Sequence, residues 1–229
     1  MEITTHLLEE SNKAKQQSIK GVTANRRQQV LKYLTSIGPK MMTFLTNTLN
    51  AVKQQLPPVI DRSNPDLNHQ FAEKLVAKIY RCLGAWFNVL DIDSINLIEP
   101  LLSSIFASLQ DPNTTNIIHD VATDTVCDAA LLCEDYEKFH HSAQYLLVQV
   151  YQLEGVYQQS VDNEDLDKSV NYSRIFTELA ESIIGPLIVE TNLPSNPQAP
   201  AQHLVNLASY SRWIMFQSMV ITLFNIGKA

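Results

Sequence analysis

The chain has 229 residues, of which 45% are hydrophobic and 18% are charged, and its formal net charge is −7. This length can bury a sizeable core as one large domain or a few small units. Only 6 glycines and 10 prolines argue against collagen-like, linker-like and turn-dense all-β designs. No apolar run approaches the roughly 20 residues that a transmembrane helix needs. The 3 cysteines are too few for a disulfide scaffold, so the sequence predicts a reduced, intracellular protein.

Helical signals begin after a polar segment at residues 1–20. Asn25 is suited to cap a first helix because good helix formers follow it. The Gly38-Pro39 pair is predicted to end that helix and to start a second one. The prolines at 57–58 and the polar stretch at 61–68 predict a loop.

The strongest amphipathic pattern follows this loop. Its apolar positions recur at helical spacing and are Phe71, Leu75, Ile79, Cys82, Leu83, Trp86 and Leu90. Trp86 is accordingly interpreted as a core residue. Similar spacing predicts further helices over about residues 98–109, 117–132, 139–157, 165–187 and 201–229. No segment combines strict alternation with hairpin turn residues, so no sheet is predicted.

The spacing of these helices favours a repeat architecture. First helices of successive pairs are predicted to begin near Asn25, His69, Asn116 and Glu164, at intervals of about 44 to 48 residues. Helix pairs that recur at about 40–47 residues are typical of HEAT repeats. We therefore expect an all-α fold, an α-α superhelix (HEAT-repeat solenoid) of about four to five helix pairs over residues 21–229. A single compact helical bundle is the alternative that the spacing leaves open.

Charge is divided unevenly along the chain. Residues up to Arg81 have a balance of +6, and those from Cys82 onward have a balance of −13. The acidic part disfavours nucleic acid as a partner, because phosphates would be repelled there. It suits a basic protein surface instead, or it is a solvated face that keeps the chain soluble.

Two acidic groups are the candidate partner-binding residues. Asp120, Asp124 and Asp128 lie four residues apart, so they share one side of a predicted helix. Like charges at this spacing cost a few tenths of a kcal/mol per pair, and arginine pairs well with carboxylates through two parallel hydrogen bonds. These residues therefore predict contact with a basic partner, with a solvated outer face as the alternative. The loop that follows adds Glu134, Asp135 and Glu137.

The second acidic group precedes a long predicted helix. It consists of Asp162, Glu164, Asp165 and Asp167. Carboxylates at a helix start are stabilised by the helix dipole, by roughly 0.3–1 kcal/mol each. This structural role is the preferred interpretation for Asp165, and contact with a partner is the alternative for the group.

Catalytic and metal-binding patterns are not found. Cys127 and Cys133 are six residues apart without a second cysteine pair, which is unsuited to zinc. Glycine-rich phosphate loops, nucleophile elbows and His-Glu-x-x-His words do not occur. We therefore predict no enzyme activity, no cofactor and no bound metal, and a helical-bundle enzyme is the least favoured alternative.

Several segments resemble one family of helical-repeat proteins. They are Lys-Ile-Tyr-Arg-Cys-Leu-Gly-Ala-Trp-Phe-Asn at 78–88, Glu-Asp-Leu-Asp-Lys at 164–168, Asn-Tyr-Ser-Arg-Ile-Phe-Thr-Glu-Leu-Ala-Glu at 171–181, Asn-Arg-Arg at 25–27 and Ala-Thr-Asp-Thr-Val-Cys at 122–127. In their order along the chain they resemble the karyopherin-β nuclear transport receptors, in particular their transportin-3 and importin-13 branch. The resemblance covers about residues 20 to 190. Such receptors are several-fold longer, so the chain is expected to match an inner stretch of their amino-terminal half.

The resemblance implies a nuclear import receptor fragment that shuttles between cytoplasm and nucleus. Its implied partners are protein cargo with arginine-serine-rich segments, Ran-GTP and nucleoporins, with no direct nucleic-acid or membrane contact. The repeats that give such receptors their main grip on Ran-GTP would precede this stretch. The alternative is a HEAT-repeat scaffold subunit of a non-transport complex. Exposed end helices also predict a tendency to self-associate.

Overall fold

The structure is a computed structural model that describes residues 24–55, 67–87, 89–90 and 95–191. These ranges contain seven helices and no strand. The helices are α1 (Ala24–Gln55), α2 (Leu67–Phe87), α3 (Ile95–Gln110), α4 (Asn116–Leu132), α5 (Tyr136–Tyr151), α6 (Glu154–Asp162) and α7 (Leu166–Thr191). The predicted all-α class is therefore confirmed.

The first helices of the predicted pairs begin at similar intervals. Helices α1, α2, α4 and α7 begin at residues 24, 67, 116 and 166, so 43, 49 and 50 residues separate their starts. These intervals lie close to the 44 to 48 residues predicted from the sequence. Three predictions fall on residues that the structure does not describe. They are the helix at 201–229, the polar segment at 1–20 and the loop at 57–68, of which only the last two residues are described.

The chain divides into two compact units, residues 1–129 and 130–229. In the first unit, α1 packs against both α2 and α3, and α2 also contacts α3. The core between these helices is apolar and aromatic, and its fully buried side chains include Met42, Leu45, Leu49, Ile79, Tyr80, Leu83, Trp86, Leu101 and Phe106. The interpretation of Trp86 as a core residue is confirmed.

The predicted break at Gly38-Pro39 is wrong, because α1 continues through Pro39 to Gln55. A proline inside a helix removes one backbone hydrogen bond and costs about 3 kcal/mol. Here the buried stripe continues across it, with Leu34 before the proline and Met42 and Leu45 after it. The packing of this continuous stripe on α2 and α3 offsets the lost hydrogen bond. Gly38 itself is buried, and a Cβ there would lie 3.3 Å from Leu90 Cδ2.

The start of the predicted α2 stripe is also corrected. Phe71 is 69% exposed, and Leu75 is half-buried. Ala72 and Val76, each one position further along, are buried instead, and the predicted stripe coincides with the core only from Ile79 onward. Spacing identifies the approximate side of a helix that faces the core, whereas the exact rotation of that side depends on tertiary packing.

A polar network joins three helices inside the first unit. The Tyr80 hydroxyl on α2 donates to the Ser104 carbonyl at 3.0 Å and lies 2.9 Å from both Ser104 Oγ and Ser108 Oγ on α3. Lys53 Nζ at the end of α1 donates to Ser104 Oγ at 2.6 Å. Burial raises the pKa of Tyr80 and lowers that of Lys53. These bonds satisfy polar groups that would otherwise be costly to bury.

In the second unit, α7 packs against α5 and α6. The single helix predicted over 139–157 is wrong, because the chain turns at residues 152–153 and separates α5 from α6. Leu153 in this turn is fully buried. The turn also lets Tyr157 meet Tyr172 and Phe176 of α7 edge-on, with ring centroids 6.3 and 5.8 Å apart. Such aromatic pairs contribute beyond their buried area.

None of the helices in the described ranges is long and apolar enough to cross a membrane.

Candidate protein-binding site

The acidic helix α4 is introduced by a tight polar turn. Asp111 Oδ1 accepts from the backbone N–H of Asn113 at 2.9 Å and from its side-chain amide at 3.1 Å. Thr114 Oγ1 then donates to the Ser108 carbonyl at the end of α3, at 2.6 Å. Aspartate and asparagine favour such turns because their short side chains bond to nearby backbone groups. The turn fixes where α4 begins relative to α3.

Helix α4 lies directly against α2. Thr125 Oγ1 donates to the Tyr80 carbonyl at 3.1 Å and to the Val121 carbonyl at 2.7 Å. One turn further along each helix, Gly84 faces Asp128, and a Cβ added at Gly84 would lie only 2.5 Å from Asp128 Oδ2. Glycine therefore leaves the space that the Asp128 carboxyl occupies. These contacts set the rotation of α4 about its own axis.

The rotation of α4 separates the three aspartates of the predicted stripe. Residues four apart on a helix are offset by about 40°, so the three carboxylates turn progressively toward α2. Asp120 and Asp124 are exposed, whereas Asp128 is half-buried. We name Asp120, Asp124 and Asp128 the α4 acidic edge.

Asp128 has a shifted protonation equilibrium. Burial, together with the negative charge of Asp124, raises the pKa of Asp128 from 3.8 to about 6. Both causes disfavour the charged form of a carboxyl group. At neutral pH Asp128 is still ionised, so the α4 acidic edge carries three negative charges there and loses one of them below about pH 6.

The other residues of the first acidic group belong to the second unit. Glu134 and Asp135 are exposed in the connection before α5, and Glu137 is exposed in its first turn. Asp135 takes the N-cap position of α5 without a side-chain capping hydrogen bond. Its carbonyl accepts from the N–H groups of Lys138 and Phe139. The two carboxylates at the helix start lie where the helix dipole favours negative charge.

The second acidic group surrounds the start of α7. Asp165 Oδ1 accepts from the Lys168 N–H at 3.2 Å, and Asp165 Oδ2 lies 3.9 Å from Lys168 Nζ. Asp165 thus caps the start of α7 by a hydrogen bond, whereas the role predicted from the sequence is stabilisation by the helix dipole. Glu164 has a left-handed backbone with φ of 58°, and both Glu164 and Asp167 are exposed. Asp162 accepts from Gln158 Nε2 at 3.2 Å within the last turn of α6.

Two features of the first unit escape the sequence reasoning. Gly84 is one of only 6 glycines, yet its role appears only when α4 is placed against it. The exposed apolar residues of α1, including Tyr33 and Phe44, form a second stripe beside the buried one. The sequence of α1 contains two adjacent apolar stripes, whereas packing on one side of a helix requires only one. This pattern is the signal that could have revealed the exposed surface.

The exposed side chains of the α4 acidic edge are carboxylates. Among the described residues, no cluster of three or more His, Cys, Asp or Glu side chains could hold a metal ion. Cys82, Cys127 and Cys133 are buried free thiols. The carboxylates of α4 can accept hydrogen bonds from cationic side chains.

A comparison with known protein families provides the identity of this helical region. Residues 1–133 match the exportin 1-like protein family. The match includes α1 to α4 and thus the α4 acidic edge, and it covers more than half of the 229 residues. Proteins of this family are built from HEAT-like helical repeats, in agreement with the helix spacing. The chain therefore belongs to the exportin 1-like family of the importin-β/exportin superfamily.

Proposed function

We propose that this chain is part of a nuclear transport receptor that binds basic, arginine-rich segments of protein cargo at the α4 acidic edge. Membership of the exportin 1-like family supports the transport role. The observation that carries the binding site is the position of Asp120 and Asp124, which are exposed on a helix that contacts α2 through Gly84 and Thr125. Carboxylates four residues apart on a fixed helix can bind successive guanidinium groups of one extended segment.

The finer assignment within the superfamily rests on the residues quoted for the resemblance. We assign the chain to the transportin-3 and importin-13 branch, with residues 21–229 as HEAT-type repeats. This proposal includes cargo with arginine-serine-rich segments and its release by Ran-GTP. It also includes contact with nucleoporins and shuttling between cytoplasm and nucleus. The acidic residues at 134–137 and 162–167 are proposed as additional contacts. Small rotations between repeats can change curvature, so partners can be exchanged without bond chemistry.

A peptide-binding experiment tests the proposed site. A fluorescent peptide of repeated Arg-Ser dipeptides is titrated with the protein, and the double variant Asp120→Asn/Asp124→Asn is compared with wild type by fluorescence anisotropy. We expect the variant to bind about tenfold more weakly, because two charge-assisted pairs are lost.

The matched control removes the same number of charges elsewhere. Glu99→Gln/Glu181→Gln changes two exposed carboxylates outside both acidic groups and should leave the affinity within about twofold. Equal losses in the two double variants would mean that only net charge matters, and the α4 acidic edge would then not be the site.

A second experiment separates a transport receptor from a scaffold of a non-transport complex. The protein carrying this region, in its full natural length, is immobilised and exposed to Ran-GTP and to Ran-GDP. We expect retention of Ran-GTP alone and release of the bound Arg-Ser peptide by it, since the two ligands favour different curvatures. A receptor that retains both nucleotide forms equally, or neither, would contradict the transport role.

A further inference from the structure

Helix α1 has a second apolar stripe that no described residue covers. Val30 is 44%, Tyr33 65% and Phe44 53% exposed, and Ile37 and Met41 between them are half-buried. At 100° per residue these five side chains fall within an arc of about 80°, next to the arc that packs on α2 and α3. We name Val30, Tyr33, Ile37, Met41 and Phe44 the α1 outer stripe. It is about 21 Å long.

The charged residues of helix α1 all have one sign. Helix α1 has five basic residues and no acidic residue in its 32 positions. Arg26 and Lys40 are exposed and lie on or beside the arc of the stripe, whereas Lys32 lies on another side of the helix. Lys53 contacts Ser104 of α3. Two cations therefore border an apolar strip, and the helix offers no carboxylate to neutralise them.

We propose that the α1 outer stripe binds an acidic amphipathic helix of a partner protein. Such a helix would place its apolar residues on Tyr33 and Phe44 and its carboxylates next to Arg26 and Lys40. This binding surface is distinct from the α4 acidic edge and selects the opposite charge, so it does not depend on the proposed cargo.

The dimensions and the charge favour this occupant over others. An apolar strip about 21 Å long on one helix matches about four turns of a second helix packed ridges into grooves. A basic segment would be repelled by Arg26 and Lys40. A helix that lies on a membrane surface exposes its polar side to water. In α1 the side next to the stripe is instead buried in the core by Leu34, Met42 and Leu45, which argues against a membrane as the partner.

The test uses a designed helical peptide as the probe. A labelled peptide of about 18 residues has Leu at alternating third and fourth positions and Glu and Ala elsewhere, which makes it an acidic amphipathic helix. A second peptide has Lys in place of every Glu. We expect the acidic peptide to bind wild-type protein at least about tenfold more tightly than the basic one, and salt to weaken this binding.

Variants on two sides of α1 locate the surface. Arg26→Glu/Lys40→Glu should reverse the preference between the two peptides, and Tyr33→Ser/Phe44→Ser should weaken both about tenfold. Lys32→Glu changes an exposed lysine on another side of the same helix and should alter the affinity by less than about twofold. Circular dichroism melting shows whether each variant is folded, and exposed positions make folding of all three expected.

Several outcomes would overturn the proposal. One is the absence of saturable acidic-peptide binding to wild-type protein, and another is an equal loss in the Lys32 variant. Binding of anionic phosphatidylserine vesicles without binding of the acidic peptide would assign the stripe to a membrane surface. Concentration-dependent dimers that Tyr33→Ser/Phe44→Ser abolishes, again without peptide binding, would assign it to a second copy of the chain.

Discussion

The carboxyl of Asp128 is half-buried because Gly84 has no side chain to exclude it. A Cβ at Gly84 would lie 2.5 Å from Asp128 Oδ2, so any larger residue there would displace this carboxyl from its position. Burial and the nearby Asp124 raise the pKa of Asp128 to about 6. A carboxyl that binds its proton more tightly in the folded state than in the unfolded state makes folding less favourable as the pH rises between these pKa values.

Asp128→Asn should therefore stabilise the protein at neutral pH. The shift from 3.8 to about 6 converts to roughly 3 kcal/mol, which solvent screening of a half-exposed group reduces to roughly 1 kcal/mol. We expect this gain in the free energy of unfolding at about pH 7.5 and expect it to vanish at about pH 3, because Asp128 is then protonated in both the folded and the unfolded state. Urea unfolding at the two pH values measures it. A gain that is the same at both would contradict the electrostatic cause.

At the scale of elements, the start of α7 is fixed by groups from its own first turn and from α6. Asp165 caps the helix through the Lys168 N–H, and its own N–H donates to the Ser160 carbonyl at 2.9 Å. The Ser160 and Ser169 hydroxyls are buried together, 2.9 Å apart. The burial of Tyr172 and the nearby Asp165 charge raise the pKa of Tyr172 to about 12. One acidic residue of the second group therefore has a structural role.

Asp165→Ala should destabilise the protein by about 1 kcal/mol, the usual cost of losing an N-cap side chain. Asp162→Ala removes a carboxylate three residues earlier whose hydrogen bond to Gln158 is on the exposed surface. It should change the free energy of unfolding by less than about 0.5 kcal/mol. Thermal or urea unfolding of both variants measures the difference. Equal costs would show that the capping bond does not stabilise α7.

At the scale of the whole molecule, opposite charges are concentrated in different parts of the chain. The balance is +6 up to Arg81 and −13 from Cys82 onward. All charged residues of helix α1 are basic, whereas the described part of the chain from α4 to α7 is rich in exposed carboxylates. A net charge of −7 hides this division. Partners of both signs can therefore be attracted by one chain, each to its own surface.

The affinity for a basic Arg-Ser peptide should consequently fall with salt. We expect it to weaken about tenfold between about 50 and 300 mM NaCl, because exposed carboxylates are screened over this range. Asp120→Asn/Asp124→Asn should flatten the dependence, while Glu99→Gln/Glu181→Gln should preserve it. Anisotropy titrations at four salt concentrations measure the slope. A salt-independent affinity would argue for an apolar contact instead.

Prediction from the sequence succeeded where local patterns decide structure. The all-α class, the helix starts near residues 69, 116 and 164, and the core position of Trp86 follow from periodicity alone. Prediction failed at Pro39 and at Tyr157. At Pro39 the burial of Leu34 and Met42 against neighbouring helices outweighs the cost of a proline. At Tyr157 the aromatic contacts with α7 favour a turn that spacing does not reveal.

At the candidate site, too, local spacing predicts one part of the structure and tertiary packing sets the rest. That Asp120, Asp124 and Asp128 share one side of a helix is predictable from the sequence, because a spacing of four residues fixes their relative angle. That the first two face solvent while Asp128 turns toward Gly84 depends on how α4 packs. The reason is physical: helical periodicity sets the angles between side chains, but the rotation of the whole helix is set by contacts such as Thr125 to the Tyr80 carbonyl, which lie 45 residues apart in the chain.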